Sequence, residues 1–122
     1  MKPDIHFHIR AATQGAGLAI GPGKVALLEA IAESGSISAA ARKLGMSYRR
    51  AWILVDETNR CLVEPAVHTI AGGKRGGGTA LTATGMEFVR RYRTLERRTG
   101  RSVAEQLAPM LRSGAAQKRM ST

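Results

Sequence analysis

The chain has 122 residues, with 19 Lys and Arg against 9 Asp and Glu, a formal charge of +10. That length holds one domain with extensions rather than two full domains, and the charge excess calls for a polyanionic partner or is tolerated as self-repulsion. A single cysteine, Cys61, excludes an internal disulfide and a cysteine-based zinc site. No apolar run nears the roughly 18 residues of a membrane span, and no signal-peptide order opens the chain, so a soluble cytoplasmic protein without a membrane partner is expected.

Residues 5–10, Ile-His-Phe-His-Ile-Arg, alternate apolar and polar at period two. This predicts a strand with Ile5, Phe7 and Ile9 on one face. A small, glycine-containing loop over 11–17 then leads to Leu18-Ala-Ile20, a second short strand that closes a hairpin. His6 and His8 share the strand's other face, but with no further His, Cys or acidic cluster nearby they read as solvent-facing or interface side chains rather than metal ligands.

Gly21-Pro-Gly-Lys24 is a turn into a helix whose apolar positions are Val25, Leu28, Ile31 and Ala32, flanked by Leu27, and which stops at Ser34-Gly35. Glu29 and Glu33, at i and i+4, read as its solvated side. Ser36 caps the next helix, whose stripe is Ile37, Ala40, Ala41 and Leu44. Gly45 stands where a left-handed residue ends that helix, and Ser47 caps the following one. Two short helices joined by about four residues, with alanines permitting a close crossing, form a helix-turn-helix pattern.

The helix from Ser47 to about Arg60 buries Ala51, Val55 and Thr58 with Leu54 beside them. Tyr48, Arg49, Trp52, Ile53 and Asp56 are left outward or sideways. Arg49 and Arg50 in the first turn are poorly placed for the helix macrodipole. They make sense if this end of the helix meets phosphates and base edges, as the second helix of such a pair does in the major groove. Trp52 fits either a packing or a DNA-facing role.

Pro65 prevents the helix from continuing. Val67-His-Thr-Ile70 and Ala80-Leu-Thr82 are short strands around Ala71-Gly-Gly-Lys-Arg-Gly-Gly-Gly-Thr79, a glycine-rich basic tip. This hairpin reads as the wing of a winged helix, with Lys74 and Arg75 carrying charge to its end. A nucleotide-cradling loop requires a lysine followed by Ser or Thr after the glycines; here Lys74 precedes Gly76-Gly-Gly78, so that chemistry is not expected.

Thr82 or Thr84 caps a last long helix with the narrow seam Phe88, Val89, Tyr92 and Leu95, core at its start and partner contact further along. Gly100 is expected to interrupt it, and Ser102-Val-Ala-Glu105 to cap a short final helix that Pro109 shortens. Residues 113–122 read as a polar, basic, disordered tail. The layout is an N-terminal strand or hairpin over 1–20, a winged helix-turn-helix over 21–98, and a short helix with a basic tail over 99–122: mainly α with a small β component.

Taken together, Gly21-Pro-Gly-Lys24, Gly35-Ser-Ile-Ser38, Ala40-Ala41, Gly45-Met-Ser-Tyr48, Ala51-Trp52, Asn59, Gly72-Gly73, Gly76-Gly-Gly78 and Leu81-Thr82 with Gly85 resemble the N-terminal DNA-binding domain of the ModE-type molybdate-responsive regulators. Some elements are shared more loosely with LysR-type regulators. The resemblance covers about residues 18–95 and implies a two-fold dimer on an operator, with helix 47–60 in the major groove and wing 72–78 beside it. It implies no cofactor on this chain, because the oxyanion-binding domains of full-length regulators have no counterpart in residues 96–122. A separate effector-sensing protein is then one possible partner, and the bacterial cytoplasm and nucleoid the expected location.

The expected partner is double-stranded DNA and the expected assembly a homodimer without enzymatic activity. Phosphate contacts are assigned to Lys43, Arg49, Arg50, Lys74 and Arg75. Tyr48, Arg49 and Ile53 are candidates for base-edge or methyl contacts; Ser36, Ser38, Ser47 and Trp52 complete the candidate surface. Phe88, Val89, Tyr92 and Leu95 are the expected dimer contacts. Two rivals use the same residues: a non-specific architectural nucleic-acid binder, and a module for a protein partner.

Overall fold

The computed structural model describes residues 5–11, 18–73 and 76–112. Its elements run β1 (Ile9–Ala11), β2 (Leu18–Ile20), α1 (Pro22–Ser34), α2 (Ile37–Lys43), α3 (Tyr48–Cys61), β3 (Val67–Gly73), β4 (Gly76–Leu81) and α4 (Ala83–Leu107), closed by a 3-10 turn over Ala108–Met110. Two antiparallel hairpins, β1–β2 and β3–β4, flank a helical core.

The core is made by α1, α2 and α3. Val25, Leu28 and Ile31 of α1 are fully buried, each contributing about 1.5–3 kcal/mol by leaving water. Leu28 and Ile31 cluster with Ile37, Ala40 and Ala41 of α2 and Ala51, Leu54 and Val55 of α3, while Val25 packs with Ile20 and Tyr92. Ala40 and Ala51 have no exposed surface; methyl-sized side chains there let the helices cross closely. Thr58, also buried, returns its hydroxyl to the Leu54 carbonyl at 2.7 Å, so its polar group is satisfied within the helix.

Three helix starts are set by hydroxyl caps. Ser36 Oγ accepts the Ala39 amide at 2.8 Å, Ser47 Oγ the Arg50 amide at 3.0 Å and Thr82 Oγ1 the Gly85 amide at 3.0 Å. Gly35 (φ 74°) ends α1 and Gly45 (φ 68°) turns the chain between α2 and α3. In both places a side chain would meet the left-handed backbone penalty. At Gly85 the constraint is space instead: a Cβ there would lie 2.2 Å from the Ala66 carbonyl oxygen.

Several expectations need correction. The first strand is confined to Ile9–Ala11, and residues 5–8 run as an irregular strap with Ile9 41% exposed. The strap's pairing is with a helix: Phe7 stacks on Tyr92 at 4.3 Å, and the Tyr92 hydroxyl donates to the Phe7 carbonyl at 2.6 Å. On α1, Ala30 rather than Ala32 completes the buried stripe. On α2, Leu44 ends the helix as its C-cap and is exposed instead of buried. Glu29 is not simply solvated, because the Arg93 guanidinium grips both its oxygens, at 2.6 and 3.0 Å.

The wing strands reach further into the glycines than expected. Pairing runs from Val67↔Leu81 through Ile70↔Gly78 to Gly73↔Gly76, with one extra residue on β3 between Ile70 and Gly73. Lys74 and Arg75 lie outside the described residues. The largest difference is in α4, which passes through Gly100 and Ser102 without a break. One glycine costs a helix only about 1 kcal/mol, too little to interrupt a helix of 25 residues. Pro109 sits in the terminal 3-10 turn, where it ends the helix. The basic tail over 113–122 lies outside the described residues.

Candidate nucleic-acid interface

The turn between α2 and α3 is held by its own backbone. The Gly45 amide donates to the Arg42 carbonyl at 3.2 Å and the Met46 amide to the Ala41 carbonyl at 3.0 Å. With Ser47 capping, the first turn of α3 is presented as a fixed surface. Its buried side is Ala51, Leu54, Val55 and Thr58, as the sequence spacing predicts. The pairs Tyr48/Trp52 and Arg49/Ile53, each at i and i+4, share the outward arc, with Arg50 exposed on the flank. Tyr48 and Trp52 meet edge to face at 6.2 Å, and are 54% and 38% exposed.

The electrostatics of this turn are one-sided. No acidic residue lies in the first turn of α3, and among the described residues neither Arg49 nor Arg50 has a carboxylate partner. Two guanidinium groups beside the positive end of a helix dipole is an arrangement that an incoming phosphate relieves. Further along, Asp56 pairs with Arg60 at 3.2 Å, so the charge imbalance is confined to the helix start.

The other assigned residues are less uniform. Ser38 is exposed on α2. Ser36 and Ser47 spend one lone pair on their caps and keep a hydroxyl proton to offer. Lys43 is engaged by Glu33 at 2.5 Å, both side chains exposed; such surface pairs are weak, so phosphate can compete for it. Of the seam, Tyr92 is 1% exposed and lies in the core with Ile20 and Val25, while Phe88 and Val89 pack against that cluster. Only Leu95, 46% exposed, faces outward. A partner contact through Tyr92 is thus ruled out by the strap that covers it.

Two links between the helix-turn-helix and the wing were not legible in the sequence. The Asn59 side chain accepts the Ala66 and Val67 amides at 2.8 and 3.1 Å and donates to the Val67 carbonyl at 3.3 Å, so the end of α3 holds the start of β3. The Thr79 amide donates to the Gly35 carbonyl at 3.0 Å, tying β4 to the α1–α2 corner. Gly78 lies close over the same carbonyl, where a Cβ would stand 3.1 Å away. Asn59 figured in the sequence only as part of a resemblance, and its long-range bonds have no local signal.

The arrangement of helices and hairpins has counterparts among solved structures. The DNA-binding domain of CbnR, solved as a complex with DNA, matches with a TM-score of 0.55 at 25% identity, covering 73% of this chain and 97% of that one. CbnR itself, a LysR family transcriptional regulator, matches with a TM-score of 0.50 at 29% identity over 67% of this chain and 28% of that one. A MarR family protein from Bacillus stearothermophilus, 18% identical with a TM-score of 0.55 over 72% of this chain and 61% of that one, shares the fold alone.

No protein-family model matches the chain. Among individual proteins, the molybdenum-pterin-binding protein MopB of Rhodobacter capsulatus is 46% identical over 80 residues, 66% of this chain and 30% of that protein. The molybdenum transport protein ModE of Azotobacter vinelandii is 45% identical over 80 residues, with the same coverage. The aligned residues are similar to the N-terminal part of these molybdenum-related proteins. The DNA-binding transcriptional dual regulator ModE of Escherichia coli is 41% identical over 71 residues, 58% of this chain and 27% of that regulator. The chain spans about 30% of the length of the first two relatives, and the match is to their N-terminal part. No described helix is long and apolar enough to cross a membrane, and no group of three or more potential metal ligands occurs among the described residues.

Proposed function

We propose that the chain is a sequence-specific DNA-binding transcriptional regulator, without enzymatic activity, that acts on bacterial DNA as a homodimer. α3 enters the major groove with Arg49 reading a base edge and Arg50 on phosphate, and the wing over 72–78 lies along the neighbouring backbone, where Lys74 and Arg75 add charge. The observation that carries this reading is the start of α3: two arginines without acidic partners among the described residues, on a capped helix, in a fold shared with a domain solved on DNA. Dimerisation is assigned to the apolar edge of α4 that the core leaves open, with Leu95 and Leu107 46% and 48% exposed.

The test is selection of bound duplexes from a random pool, with and without molybdate. Enrichment of two inverted half-sites about 34–36 Å apart is the expected result. Equal affinity for selected and random duplex would point to non-specific binding instead, and no retention at low salt to a protein partner. The molybdate arm is included because the relatives are a molybdenum-pterin-binding protein and a molybdenum transport protein; a change in enrichment on its addition to the chain alone would place the sensor within this chain rather than in a separate protein.

A further inference from the structure

The reading surface of α3 carries more apolar area than its charge suggests. Tyr48, Trp52 and Ile53 are 54%, 38% and 40% exposed, within one and a half turns of a helix whose other outward residues there are arginines. They cannot be spare core, because the buried side of α3 is complete with Ala51, Leu54, Val55 and Thr58. They are held rather than loose, Tyr48 and Trp52 bracing each other edge to face. Such a patch, flanked by unpaired cations, fits a partner that is anionic at its rim and apolar at its centre.

In the major groove the phosphates supply the anionic rim, and the apolar feature of a base-pair edge is the C5-methyl group of thymine. We infer that Tyr48, Trp52 and Ile53 form a methyl-reading patch, and that the half-site bound by α3 places thymine C5-methyl groups against it. Ile53 sits with Arg49 on the arc facing away from the core and takes a methyl at the groove floor. The Tyr48–Trp52 pair covers the next methyl toward the flank. Specificity then has two chemically distinct parts, a hydrogen-bonded part at Arg49 and a desolvation part at this patch. The inference rests on the proposed placement of α3 in the groove.

Because the chemistry recognised is the methyl and not the base, 5-methylcytosine should serve in part where thymine does. The test uses the unaltered protein and the duplex selected from the random pool, with thymines replaced one at a time by deoxyuridine. This removes only the methyl and keeps every hydrogen bond. Loss of affinity of about fourfold at one or more thymines of each half-site is expected, the worth of one buried methyl group. At those positions a C·G pair should bind more tightly when its cytosine carries the 5-methyl group. Ile53→Ala, a change at an exposed position that should leave folding intact, should abolish the distinction between thymine and deoxyuridine at one position while leaving the others. A selected duplex that loses nothing on complete thymine-to-deoxyuridine replacement overturns the methyl patch but leaves sequence-specific binding standing. Failure to select any duplex overturns both.

Discussion

Arginine is handled in opposite ways at the start of α3 and along the first half of α4. Arg90 and Arg91 share Glu87, and Arg93 bridges Glu29 of α1 and Glu96 of its own helix. Arg49 and Arg50 have no such acids among the described residues. Both helices are amphipathic and both are capped by a hydroxyl, so neither fold class nor local propensity distinguishes them. The difference is where the compensating negative charge resides: within the chain for α4, and, on the proposed function, on the bound DNA for α3. Counting basic residues treats the two alike. Locating their carboxylates shows which charges hold the domain together and which are offered outward.

The largest effect that tests this division lies on α4. Tyr92→Ala removes a fully buried ring that stacks on Phe7 and holds the strap through its hydroxyl, and should cost about 3–5 kcal/mol in stability, measured by urea unfolding. Near-native stability would mean that the strap and α4 do not pack as described. On α3 the loss should fall on binding instead. Arg49→Ala is expected to cost about 1–3 kcal/mol in affinity for the selected duplex and to relax its specificity, with the unfolding midpoint unchanged. An unaltered dissociation constant would remove Arg49 from the reading surface.

Arg93→Ala supplies the converse, a stability loss of about 1–2 kcal/mol with DNA affinity retained. Arg93 donates to Glu29 at 2.6 and 3.0 Å and to Glu96 at 2.6 Å in a partly shielded setting, and those acids hold its charge firmly, pushing its pKa up. If Arg93→Ala instead weakened binding as much as Arg49→Ala, the distinction between inward and outward arginines would not hold.

What could be read in advance follows the range of the interactions. Caps, left-handed glycines and the buried stripe of α3 depend on neighbours within four residues, and Ser36, Ser47, Gly35 and Gly45 were legible for that reason. The strand assigned to 5–10 failed because its alternation was met by Tyr92, 85 residues away, and not by a second strand of equal length. The seam was correctly apolar, but sequence spacing cannot tell a core face from a dimer face, and Tyr92, expected at the partner contact, is buried in the core. The outward residues of α3 were legible because they are what remains once its buried stripe is taken out. Asn59 and Thr79 were not, because their bonds join different elements, α3 to the start of β3 and β4 to the α1–α2 corner.

The smallest expected effect is also the one most specific to α4's internal pairing. Glu87 accepts from the Arg90 side chain and from Arg91 Nε at 2.8 Å. Those hydrogen bonds, Arg90's first, hold its carboxyl down at about 2, against an ordinary carboxylate value of 4.5. A carboxyl with a depressed folded-state pKa contributes stability that is complete above its unfolded value and disappears as pH falls through the folded one. The contribution of Glu87 should therefore be whole at neutral pH, decline below about pH 4.5 and vanish near pH 2. Both partners are exposed and salt-screened, so the effect is modest. Comparing the unaltered chain with Glu87→Gln by urea unfolding, the gap in midpoint should be widest at neutral pH and low salt, narrow through the acid range and close near pH 2. A gap independent of pH would mean that Glu87 acts by packing or helix propensity, and α4 would then carry Arg90 and Arg91 as uncompensated as the arginines of α3.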